Sequence, residues 1–429
     1  MLHVDKVDSL QTEPVHITAD GLEASQCYKI QLLMHHGDGI HSSYCVIRSD
    51  LYGKIDLAEH KPLRGSYRDV NPMGLFLSLQ PTESFRIASM IRDNVKEPTY
   101  YTLQLFNASG DRIDQRTIRK HWNHPLVSRI EVAQDGLFGT LFKPPGPGPF
   151  PCILDVPSVH GSIVERPSAV MASEGFLVFT FATYGYHRTL PQEICDMDVE
   201  FFEKPINFVR SLPYCSGKIG LYGLSFGATI SGYLSIKYPG ISAVVAVNGS
   251  ECFFKYGLVM KENGKLMESV VLDEGAMKFV NGVGRLTEVI EEHYGRLTEE
   301  KRIPWRKARK ETAFRIVASL DDWTISAAET ARRIQKDLLE VGVSVELDLI
   351  PAGHFLNPPF VPHHSFVFNK FTRVSWGLGG EYLLHSTAEE EVWRKNIEFF
   401  KRHLGCPPKV PDWKRETKVA QKRDVYSRL

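Results

Sequence analysis

The stretch KIGLYGLSFGATISGYLSIKYPG, residues 218–240, decides how the rest of the chain reads. An apolar run of strand length leads into Gly223-Leu224-Ser225-Phe226-Gly227, and a helix-forming segment follows and ends at Gly240. In a strand–turn–helix setting, G-x-S-x-G places a serine on a sharp, strained turn above a sheet. The spacing has a steric cause. Where the strand and the helix cross, the positions two before and two after the serine must be nearly free of side chain. The N–H of Phe226, at the start of the helix, can then face a developing oxyanion.

A serine nucleophile needs a base, and the base needs an orienting acid. In this fold they follow in the order Ser, Asp/Glu, His, each at the C-terminal end of a strand. Asp321-Asp322 follow the apolar run FRIVASL, and His354 follows VELDLIPAG. Both positions fit the order. His354 would take the serine proton and later activate water, while the aspartate would fix its tautomer. A second oxyanion donor is expected from the loop after an early strand, here DVPSVHGS (residues 155–162), where Val159 or His160 could supply the N–H.

The flanking texture agrees. From Pro151 onward, the runs CILDV, FLVFTF, AVVAV, FRIVAS and VELDLI alternate with helical stretches, as strands buried on both faces of a parallel sheet do. Ala327, Ala331, Ile334, Leu338 and Val341 form one apolar helical stripe. Ser326 and Glu329 form a capping box at its start, and Gly342 ends it. Trp393, Ile397, Phe400 and Leu404 mark a second amphipathic helix.

Before residue 120 the pattern differs. Short strands such as VHITADGL, CYKIQLLMH, SSYCVIRSD, GKIDL and TYYTLQLF are broken by Gly21, Gly37-Asp38-Gly39 and Gly53. That spacing predicts an all-β sandwich, with one possible helical period about Ser84 to Asn94. The expected organisation is a β-sandwich over 1–122, an α/β-hydrolase domain over 123–412 and a basic tail over 413–429. The proline-rich KPPGPGPFP (residues 143–151) reads as a rigid turn between two early strands of the second domain.

At these residues the chain resembles the acyl-CoA thioesterase / bile acid-CoA:amino acid N-acyltransferase family. TEPVHITADGL and RDVNPMGLFLSLQP resemble that family's N-terminal immunoglobulin-like sandwich. FKPPGPGPFPCILD, GLSFGA, the Asp-Asp before TIS, PAGHFLNPPFVP and the late WGLGGE resemble its α/β-hydrolase domain. The resemblance implies a triad of Ser225, Asp322 and His354, with Asp321 the fallback acid. The chain departs from the family pattern at Phe226, at Thr229 and in its glycine-poor oxyanion loop. Serine where the bile-acid branch often carries cysteine favours hydrolysis of acyl-CoA to free acid and CoA. Transfer to glycine or taurine is the nearest alternative, and a general carboxylesterase the next.

Composition removes other classes. The 429 residues carry 51 basic and 51 acidic side chains, so no global field points to nucleic acid or an anionic membrane. No apolar run is long enough to span a bilayer. The seven cysteines are scattered without CxxC, which reads as reduced thiols rather than disulfides or a zinc site. No metal or cofactor is expected, and no P-loop marks where CoA binds. The N-terminal residues lack a signal-peptide core. Ser427-Arg428-Leu429 vary the S-K-L peroxisomal address, so a peroxisomal import receptor is an expected partner and the cytoplasm the alternative location. The sequons at Asn107 and Asn248 read as accidental. WGLGG (residues 376–380) lacks the spacing of a dinucleotide fingerprint. His35-His36 and His363-His364 read as surface histidines.

Overall fold

The computed structural model describes residues 1–36, 39–82, 94–254, 259–272, 275, 277–294, 297–369 and 373–411. The expected helical period about Ser84 and the basic tail with Ser427-Arg428-Leu429 lie outside them.

The N-terminal part is a two-sheet β-sandwich. A sheet of Leu2–Val4, Ile17–Ala19 and Ile55–Asp56 faces a larger one built on Arg112–His121, Thr99–Phe106, Cys27–His36 and Gly39–Arg48. Thr99–Phe106 and Gly39–Arg48 alternate buried and solvent-facing residues, the period-2 signature of sheets wetted on one face. Leu2, Ile17 and Ile55 meet Ile30, Leu32, Ile47, Leu103 and Ile118 in the core.

The sandwich's last long strand ends at His121, and the second sheet begins seven residues later. Its strands are β1 (Ser128–Gln134), β2 (Leu137–Lys143), β3 (Phe150–Val156), β4 (Leu177–Phe181), β5 (Cys215–Leu224), β6 (Ile241–Val247), β7 (Ala313–Ser319) and β8 (Val345–Ile350). They lie in the order β1-β2-β4-β3-β5-β6-β7-β8, parallel from β4 onward. Strands β3 and β7 are buried at every residue, which is why they read as unbroken apolar runs. The proline-rich segment joins β2 to β3, as expected. This is an α/β-hydrolase sheet.

Among the described residues, the helices that flank it include α1 (Arg166–Ser173), α2 (Glu203–Ser211), α3 (Phe226–Lys237), α4 (Ala327–Glu340) and α5 (Tyr382–Leu404). Ala327, Ala331, Ile334 and Leu338 of α4 are buried, as are Trp393, Ile397, Phe400 and Leu404 of α5. The capping box at Ser326 does not form. Ser326 makes no side-chain cap; its hydroxyl donates instead to Glu291 Oε1 at 2.8 Å. A tertiary partner has outcompeted the local one.

The sandwich grips the loop that follows His354. Gln11 Nε2 donates to the carbonyls of Pro359 (3.2 Å) and Phe360 (3.0 Å), and Tyr101 Oη donates to Phe360 O at 3.0 Å. Lys120 Nζ donates to Glu13 O and lies 5.7 Å from the ring centroids of both Phe76 and Phe360. Burial pulls the Lys120 ammonium down to about 7. The unfolded chain then holds this proton up to about pH 10.4, and the folded chain releases it near 7, so stability rises with pH across that window. Relative to Lys120→Met, the wild type should gain about 1.4 kcal/mol per pH unit between pH 7.5 and 9.5 in denaturant melts. A constant difference between the two proteins would show that Lys120 titrates normally.

Candidate active site

The turn after β5 has the strain its sequence implies. Ser225 sits at φ 58°, ψ −124°, a region costing a non-glycine residue roughly 1–3 kcal/mol. Backbone bonds hold it there: Ser225 N–H donates to Val247 O (2.8 Å), and its carbonyl accepts from Ala228 N (3.0 Å) and Thr229 N (3.2 Å). The two glycines of the motif are sterically required. A Cβ on Gly223 would lie 2.3 Å from Gly227 O, and one on Gly227 would lie 2.4 Å from Val156 O. The start of α3 is thereby pressed against the end of β3.

Ser225, Asp322 and His354 come together. Ser225 Oγ donates to His354 Nε2 at 2.8 Å, and His354 Nδ1 donates to Asp322 Oδ2 at 2.8 Å. A carboxylate only accepts, so the proton belongs on Nδ1 and Nε2 is left as the base. The other oxygen, Asp322 Oδ1, accepts from Thr324 N (2.8 Å) and Ile325 N (3.0 Å), which fixes the carboxylate plane. Asp322 and His354 are both buried. Asp321 points elsewhere: it accepts from Trp323 Nε1 (2.6 Å) and Gly380 N (2.8 Å).

Phe226 is the first residue of α3, so its N–H has no intrahelical acceptor. Val159 lines the same cavity as Ser225 and Phe226, and its carbonyl accepts from Tyr184 Oη. His160 does not line this cavity; its ring bonds Ser162 Oγ at 3.1 Å. The cavity measures about 200 Å³ and is walled chiefly by apolar side chains, among them Phe254, Leu272, Ile290, Trp323 and Trp376. Among the described residues no group of three or more His, Cys, Asp or Glu could hold a metal ion, and no helix is long and apolar enough to cross a membrane.

Residues 12–134 match the acyl-CoA thioester hydrolase/BAAT N-terminal region, and residues 197–406 match the BAAT / acyl-CoA thioester hydrolase C-terminal domain. A mouse acyl-coenzyme A amino acid N-acyltransferase 2 is 30% identical over 416 residues, covering 92% of this chain and 96% of its own. The chain belongs to the acyl-CoA thioester hydrolase/BAAT family. A rat acyl-coenzyme A thioesterase 1 is 29% identical over 402 residues, covering 92% of this chain and 94% of its own. A mouse peroxisomal succinyl-coenzyme A thioesterase is 28% identical over 405 residues, with the same coverage.

In this family member, several residues that hold the Ser225, Asp322 and His354 loops in place carry no local sequence signal. Asn248, whose sequon reads as accidental, is buried and ties three strand ends together. Its Nδ2 donates to His354 O (2.7 Å) and Ser319 Oγ (3.0 Å), and its Oδ1 accepts from Ser319 N at 2.8 Å. Thr229, noted only as a departure from the family, accepts from Ser250 N at 2.9 Å through its hydroxyl. The WGLGG segment clamps both partner loops. Leu378 O accepts from His354 N at 2.7 Å, and a Cβ on Gly379 would lie 1.8 Å from Asp321 O.

His363 is not a surface residue. It is buried and stacks on His385 with ring centroids 3.5 Å apart, and burial pulls both imidazoles down to about 3. Both are therefore neutral near pH 7. His385 Nδ1 accepts from Gly353 N (2.9 Å) and Nε2 donates to Glu389 Oε1 (3.1 Å), which also accepts from Asn357 N (2.6 Å). One His–Glu pair on α5 thus braces the His354 loop on both sides. Burial pushes the Glu389 carboxyl well above its usual range. Proline-rich loops carry no periodicity to reveal such burial.

Proposed function

We propose that this protein is an acyl-CoA thioesterase working through an acyl-serine intermediate. The observation that carries the reading is the continuous hydrogen-bond chain from Ser225 Oγ through His354 to Asp322, opening on an apolar cavity. Ser225 Oγ attacks the thioester carbon as His354 Nε2 takes its proton. The C–S bond then breaks, and His354 returns that proton to the departing CoA sulfur. Water, deprotonated by His354, releases the fatty acid and restores Ser225. The N–H groups of Phe226 and Val159 are the oxyanion donors we favour, because both residues border the cavity that holds Ser225; His160 is the second candidate for the loop donor.

An N-acyltransferase reading is favoured by the 30% identical mouse relative. In that case an amine replaces water in the second step. We place the reaction in the peroxisome, a reading supported by Ser427-Arg428-Leu429 and by a relative of that compartment, and the sandwich boundary near residue 122. The test is mass spectrometry of products from short, long, branched and bile-acid CoA thioesters, with and without glycine or taurine. Free acid and CoA, unchanged by the amines, are expected. An N-acyl amino acid would move the protein to the transferase branch, and no CoA release would remove the thioester reading.

A further inference from the structure

A CoA thioester presents two unlike arms at its reacting carbon. One is an acyl chain; the other is pantetheine, which carries two amides and a hydroxyl on an aliphatic frame. The structure has two cavities of correspondingly unlike character. The Ser225 cavity is apolar on nearly all sides. A second cavity of about 340 Å³ adjoins it and shares Phe355, Val367 and Leu378 as walls. His160, Ser162 and Asn357, which carry hydrogen-bonding groups, line the second cavity beside apolar Val156 and Ile163.

Placement separates the two further. The oxyanion loop divides them, with Val159 bordering the first and Ser158 and His160 the second. Phe355 follows the base, and Leu378 O holds His354 N–H, so the shared wall lies on the histidine side of the reacting centre. The leaving sulfur must also lie on that side, because His354 Nε2 protonates it.

We propose that the second cavity binds the pantetheine arm of the substrate, leaving the Ser225 cavity to the acyl chain. This rests on the thioesterase reading. Ser162→Trp and Ile163→Trp would fill the second cavity from its rim. Each is assayed on octanoyl-CoA and on p-nitrophenyl octanoate, which share an acyl group but not a leaving group. The ratio of kcat/KM for the CoA thioester to that for the ester should fall by about tenfold or more, chiefly through KM. An unchanged ratio in folded variants overturns the proposal, as does a selective loss of long-chain over short-chain esters, which would assign the cavity to the acyl tail.

Amide hydrogen exchange of the wild type with CoA gives a test that needs no variant. Slowed exchange over residues 156–164 is expected, and protection confined to other segments overturns the assignment. Failure of the wild type to cleave any acyl-CoA would instead strike the thioesterase reading itself.

Discussion

Ser225→Ala should lower acyl-CoA turnover by about 10⁵- to 10⁶-fold, the scale seen when a triad nucleophile is removed. The loss should fall on kcat, because the hydroxyl forms its new bond only on the way to the intermediate. Folding should survive. The side chain's bond is to His354 Nε2, whereas the turn is held by backbone bonds to Val247, Ala228 and Thr229 that alanine retains. Alanine also keeps the single Cβ already tolerated at φ 58°. Thiol release from acyl-CoA measures the rate, and thermal melting confirms the fold. Acid-quenched wild type should carry one acyl group by intact mass, and the variant none. An unimpaired Ser225→Ala would move the nucleophile elsewhere in the chain.

That serine was legible because its constraint is local. The serine, the two glycines and the strand–helix crossing all fall within about ten residues, and the contacts a Cβ would make at Gly223 and Gly227 are the ones the spacing implied. The hydrolase strands were legible for a related reason: burial on both faces leaves no polar alternation, so β3 and β7 stand out as continuous runs. The candidate acid and base could be narrowed to Asp321-Asp322 and His354 by chain order and strand-end position, and the family resemblance favoured Asp322.

What stayed hidden depends on partners far away in sequence. Ser326 carries a local capping pattern, yet its hydroxyl goes to Glu291, 35 residues earlier. Asn248 looks like a glycosylation site until β6, β7 and the His354 loop are seen to converge on it. His363 and His385 are 22 residues apart, in a loop and a helix, and His363 leaves solvent by stacking on His385, packing against Tyr382 and bonding Gly379 O. Periodicity reports which face of an element is buried, not which distant group will compete for a hydroxyl or an imidazole.

The choice between Asp321 and Asp322 is of the same kind, and their substitution by asparagine separates the two roles. Asp322→Asn should reduce turnover by about 10⁴-fold with little change in melting temperature. Asparagine can keep its oxygen towards the N–H groups of Thr324 and Ile325, but it then turns an NH₂ towards His354 Nδ1. The imidazole must in response carry its proton on Nε2, where it can no longer accept from Ser225. Asp321→Asn should do the reverse. One of its two acceptors, for Trp323 Nε1 or Gly380 N–H, becomes a donor; because Asp321 is exposed and water can replace the lost bond, this costs about 1 kcal/mol of stability. Turnover in the residual folded protein should stay within about tenfold of wild type, since no Asp321 oxygen bonds the imidazole. Paired kcat and melting measurements decide the matter: a 10⁴-fold loss in Asp321→Asn alongside an active Asp322→Asn would transfer the orienting role to Asp321.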